Sequence, residues 1–199
     1  MAESNLPRIE TLSGALPWIL YFALPHLGLP VAALIAAFVA ALYPAAIAAA
    51  RGKSVKLIDW TTLAFFAFGL AALAAGTSAT AAFSHYNYVL VWILFSAMAW
   101  ISLLLGKPFT LEFARESTPP EIWGTPLFHH ANVIITLAWA AAFTLNLLVA
   151  LLALRLRGAA AIAAQIFQFI PMAGAVVFMS RYRASIQQGR ARSAPAATI

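Results

Sequence analysis

The sequence contains no cysteine, which excludes disulfides, cysteine-ligated zinc, iron–sulfur clusters and thiol catalysis. Charge is almost as scarce. Only 9% of the 199 residues are charged, against 63% that are hydrophobic, whereas a soluble domain carries roughly 25% charged residues. So few charges cannot clothe a water-exposed surface, so much of this surface faces lipid. No acidic residue falls within an apolar run: Asp59, Glu112, Glu116 and Glu121 sit beside or between such runs. Proton- and cation-coupled transporters usually carry an intramembrane carboxylate, and its absence counts against that class. Gly-x-Ser-x-Gly elbows, P-loops and dinucleotide fingerprints are missing too, which argues against an enzyme. A cleavable signal peptide is not expected, because Glu3 and Glu10 flank Arg8 while Pro17 and Pro25 interrupt the first apolar stretch.

What is present is a series of apolar runs. They cover about 13–27, 29–50, 60–79, 88–106, 133–154 and 159–179. The first is short for a spanning helix, and the others reach the roughly 20 residues that a bilayer requires. In hydrocarbon every backbone N–H and C=O must be satisfied within the protein, so spans are helices or closed barrels. A barrel alternates polar with apolar residues, and these runs do not. The expected fold is an all-α, polytopic transmembrane bundle of about six helices, or five if the first segment is re-entrant. It forms a single domain over residues 1–183, with an interfacial segment at 107–126 and a disordered cytoplasmic tail at 184–199. Ser84-His85-Tyr86-Asn87 reads as a polar turn between the third and fourth runs. Tyr43, Trp60, Tyr86, Tyr88, Trp123 and Tyr182 fall near span ends, where interfacial aromatics belong.

The net charge of +6 suggests nucleic acid only superficially. The basic residues form short clusters between apolar runs, as orientation in a membrane requires. With a cytoplasmic N-terminus, ten of the twelve Lys and Arg residues fall inside, and only Arg155 and Arg157 fall outside. The expected orientation places both termini on the cytoplasmic side. The expected partner is the lipid bilayer, with a homo-oligomer left open and no nucleic acid. No cofactor is expected.

Chemistry could sit in three places. The first is the segment 107–126, where Glu112 and Glu116 share a helical face and Arg115 lies beside Glu112. Phe109, Leu111 and Phe113 offer apolar anchors, and Ser117 or Thr118 before Pro119-Pro120-Glu121 resembles an N-cap with proline in the first turn. Its plain role is an interfacial segment with apolar residues dipped into headgroups. Its functional role is a docking surface using Lys107, Glu112, Arg115, Glu116, Glu121 and Trp123. The second place is His129-His130, which with Glu112 and Glu116 would make a carboxylate–imidazole site if the loop folded back, although no metal-motif spacing is present. His26 and His85 fall near one interface and lack the facing arrangement that paired haem ligation needs. The third place is the intramembrane polar set Ser96, Asn146, Gln165 and Gln168. Gln165 and Gln168 are three apart, and with Asn146 they would either bond between helices or line a polar path opened by a kink at Pro171.

The order of these features resembles the bacterial intracellular septation protein A family of small inner-membrane proteins. The shared pattern comprises the opening Leu16-Pro17-Trp18-Ile19-Leu20-Tyr21-Phe22, the basic loop Arg51 to Lys56, and the span ending Leu104 to Pro108. It continues with Pro119-Pro120-Glu121-Ile122-Trp123 and with Asn132, Trp139-Ala140, Phe143 and Asn146. The resemblance implies a location in a bacterial inner membrane and a non-enzymatic accessory protein of cell-envelope maintenance or cell division, acting through contacts with other inner-membrane proteins. A small transporter or channel built around Asn146, Gln165 and Gln168 is the alternative. A membrane metalloenzyme using Glu112, Glu116 and His130 is a further one.

Overall fold

The computed structural model describes residues 6–193, and every regular element among them is helical. Contacts divide the chain into two compact units, Met1–Leu94 and Phe95–Ile199. Five helical stretches are long and apolar enough to cross a membrane: Pro30–Ala50, Leu57–Ala74, Thr77–Leu104, Pro126–Ala153 and Ala159–Gly189. The apolar part of the first helix, Gly14–Leu27, falls short of that length. The protein is therefore a multi-pass membrane protein: among the described residues five stretches have full spanning length, and the shorter α1 segment decides between the five and six crossings expected.

The first unit opens with helix α1 (Leu6–Ala23), which tightens into a 3-10 turn over Leu24–Leu27, and helix α2 (Pro30–Ala50) follows. Pro30 sits in the first turn of α2, where its missing N–H costs nothing. Ala33, Ala37 and Ala41 recur every four residues and are buried to 0%, 0% and 2% exposure. This strip of small side chains lets neighbouring helices approach closely, which drives association where lipid removes the hydrophobic effect. Helix α3 (Leu57–Ala74) and the first part of α4 (Thr77–Leu104) complete the unit. Its core is aromatic: Trp18 lies 5.3 Å from Phe65 and 5.0 Å from Phe66, and Phe65 lies 5.5 Å from Phe83, centroid to centroid. Thr61 and Thr62 return their hydroxyl protons to the carbonyls of Leu57 and Ile58 at 2.9 Å, hiding polar groups within their own helix.

Two expected boundaries move. The turn between α3 and α4 falls at Ala75–Gly76, not at Ser84–Asn87, which is helical and part of α4. The reason is length: 28 residues rise ~42 Å, more than the ~30 Å hydrocarbon core. A polar stretch near one end of such a helix therefore need not break it. Asn87, inside this stretch, is tied to α1 by donating from Nδ2 to the Tyr21 hydroxyl at 3.0 Å.

The second unit holds the rest of α4, a short helix α5 (Thr110–Glu116), a 3-10 turn at Pro120–Ile122, α6 (Pro126–Ala153), α7 (Ala159–Phe167) and α8 (Phe169–Ser193). Helix α6 packs on α5, α7 and α8. Helices α7 and α8 form one apolar stretch interrupted at Gln168. Pro171 accounts for the break, because its ring collides with the carbonyl four residues back, at Phe167, and it has no N–H to donate there. The expected tail at 184–199 is helical as far as Ser193, and residues 194–199 lie outside the described ones.

Candidate functional site

The connection between α4 and α6 is a folded strap. It starts at Gly106, whose φ of 67° is a left-handed conformation that glycine adopts without steric cost. That geometry lets Gly106 N–H donate to Leu103 O at 3.0 Å and Lys107 N–H to Ser102 O at 2.9 Å, closing the end of α4. Ser102 then holds the next turn: its hydroxyl donates to Ala99 O at 2.8 Å and accepts from Phe109 N–H at 3.2 Å. Pro108, Phe109, Thr110, Leu111 and Ala114 are buried.

The strap is seated on α6 by hydroxyl chemistry. Thr110 Oγ1 lies 3.0 Å from Asn132 O and 2.8 Å from Thr136 Oγ1. A hydroxyl has one proton. Since the carbonyl can only accept, Thr110 donates to Asn132 O and the Thr136 hydroxyl donates to Thr110. Below this pair Phe109 meets Phe143 at 6.4 Å, and beside it Leu111, Ala114 and Phe128 form a small apolar cluster. Phe109 and Leu111 are thus anchored in protein rather than in headgroups, which corrects the expected interfacial role for them; Phe113 is half-buried. The signal for this seat was Thr110 with Asn132 and Thr136 one turn apart on α6, three polar residues that apolar surroundings force into mutual contact.

The outer edge carries the docking candidates. Lys107, Arg115, Glu116, Glu121 and Trp123 are exposed and Glu112 is half-buried. The Arg115 guanidinium carbon lies 5.5 Å from the Trp123 ring centroid, within cation–π range, and Trp123 Nε1 donates to Thr118 O at 2.9 Å. The expected N-cap at Ser117 or Thr118 does not form, since both hydroxyls bond back to Ala114 O. The cap that forms is Thr125, which accepts from Phe128 N–H at 3.3 Å and precedes Pro126 in the first turn of α6. His129 Nε2 donates to Gly106 O at 3.1 Å, so that nitrogen is not available to a metal, and His130 is exposed. Among the described residues no group of three His, Asp or Glu side chains gathers to hold a metal ion.

The intramembrane polar set separates. Asn146 is 0% exposed, and neither its Oδ1 nor its Nδ2 makes a hydrogen bond. Gln168 is buried to 6% exposure at the break between α7 and α8, while Gln165, one turn earlier, faces outward. Helix α7 buries no residue at all, so Gln165 does not join Asn146 and Gln168 in the interior. Ser96, on α4, is buried with its hydroxyl unbonded. Comparison with known proteins adds no relative: no family, curated protein or solved structure matches this chain.

Proposed function

We propose that this protein is a non-enzymatic accessory protein of a bacterial inner membrane, serving cell-envelope maintenance or cell division by contacting other membrane proteins. The reading rests on the resemblance to the septation protein A family and on one observation of shape. The 107–126 strap has a buried inner edge that fixes it and an exposed outer edge bearing both signs of charge around a stacked Arg115–Trp123 pair. A surface that is charged, aromatic and rigid loses little conformational entropy on binding, and Trp and Arg are enriched among residues that dominate interfaces. The excess of Lys and Arg on one side supports a cytoplasmic location for this edge and the C-terminus, and for the N-terminus too with α1 crossing beside α2.

The experiment is affinity purification from native membranes in mild detergent, comparing wild type with a variant in which Lys107, Arg115, Glu116, Glu121 and Trp123 are all replaced by serine. Because the inner edge is untouched, the variant inserts normally, and it loses its co-purifying membrane proteins. Unchanged recovery of those proteins removes the docking role. A small transporter or channel is the second reading, favoured by the unbonded amide of Asn146 in the interior. On that reading Asn146→Leu abolishes flux in liposomes, and a variant with full flux discards it.

A further inference from the structure

A cleft of about 410 Å³ opens in the second unit between the end of the strap, the first turns of α6 and the last turns of α8. One wall is apolar, with Ile122, Phe128 and Ile135. Arg183 also lines the cleft, the one charged side chain among the described residues that do, and no carboxylate is among them. Asn132 also lines it. Its Nδ2 donates to Phe128 O at 2.8 Å, which fixes the amide orientation. Its Oδ1 is buried and makes no hydrogen bond, on a residue only 3% exposed. A buried amide oxygen without a donor is costly and calls for one.

The depth of the cleft identifies the class of ligand. On α8, Val176, Val177 and Phe178 are exposed apolar residues, as a lipid-facing surface requires, and the basic residues begin at Arg181. Arg183 lies five residues beyond Phe178, or ~7.5 Å further along the axis. A change from exposed apolar residues to arginines within two turns is the pattern a helix shows where hydrocarbon gives way to phosphate. A guanidinium suits a phosphodiester, an amide oxygen suits a headgroup hydroxyl, and the apolar wall suits the start of an acyl chain.

We propose that this cleft is a binding site for one anionic phospholipid with a hydroxyl-bearing headgroup, its phosphate on Arg183, its hydroxyl donating to Asn132 and its chain along Ile135. The proposal is independent of the docking surface, since none of the residues replaced in the docking variant takes part.

The test is native mass spectrometry of the full chain, delipidated in detergent and titrated with phosphatidylglycerol or phosphatidylcholine. Wild type retains a single phosphatidylglycerol and no phosphatidylcholine, which is zwitterionic and has no headgroup donor. Arg183→Gln weakens retention ~10-fold or more, as loss of a charge-assisted contact should. Asn132→Leu weakens it also. Arg181→Gln, which removes an equal charge two residues away and outside the cleft, leaves retention within twofold. Equal losses in the two arginine variants, or retention of phosphatidylcholine, would reduce the effect to general surface electrostatics and overturn the proposal. Displacement of the lipid by soluble glycerol 3-phosphate at comparable concentration would overturn it in favour of a water-soluble phosphate ligand.

Discussion

At the scale of single residues, the second unit depends on a few hydroxyls doing what backbone groups do elsewhere. Thr110 and Thr136 pass one proton each along a chain that ends on Asn132 O. Neither threonine is exposed beyond 5%, so removing the Thr110 hydroxyl leaves that of Thr136 without its acceptor, while Thr110 keeps its bond to Asn132 O when Thr136 is changed. Thr110→Val and Thr136→Val should each cost about 1 kcal/mol, and the double variant should cost clearly less than their sum, because once Thr110 is changed the Thr136 hydroxyl is already orphaned. Thermal unfolding in detergent measures this, and strict additivity would show that the two hydroxyls do not interact. None of this was legible from composition. Thr110 falls inside a stretch with the composition of an interfacial segment, because hydropathy reports how polar a stretch is and not which residues of it turn inward.

At the scale of elements, close approach between helices rests on Gly69 as much as on the alanine strip of α2. A Cβ at Gly69 would lie 2.7 Å from Phe83 Cζ and 2.8 Å from Leu34 Cδ1. Both neighbours are buried, at 5% and 6% exposure, and have little room to retreat. Gly69→Ala gains about 1 kcal/mol of helix propensity but meets an overpacking cost of about 1–3 kcal/mol. The net expectation is a lower unfolding temperature, and adding Phe83→Leu should restore it. Gly174→Ala, with nothing within 4 Å of the new methyl, should raise the temperature instead. If Gly69→Ala also raises it, the helices are not in the close contact described. Helix type and most helix positions were legible, because continuous apolar runs of this length have no other solution in lipid. The ends were less so: Ser84–Asn87 looked like a turn although its helix simply outlasts the hydrocarbon. Gln165 and Gln168 looked like one face until Pro171 broke the helix between their surroundings.

For the whole molecule, the absence of cysteine turns topology into a clean measurement. Three spanning helices, α3, α4 and α6, separate Lys53 from Arg157. Single cysteines introduced as Lys53→Cys and Arg157→Cys should therefore react with a membrane-impermeant thiol reagent from opposite faces, whatever α1 does. Labelling from one face would contradict the span count. A third variant, Ala2→Cys, reports on α1: reaction from the Lys53 face means that α1 crosses with α2, and reaction from the Arg157 face means that it does not. The strap also imposes an order of events during synthesis. Thr110 finds its partners 22 and 26 residues later in the chain. At ~5–20 residues per second, Pro108, Phe109 and Leu111 wait on the order of a few seconds without their seat on α6. Over that interval the nascent chain presents an unsatisfied apolar hook at the membrane surface, so the protein is most open to capture by chaperones or proteases just before its fourth full-length span is complete.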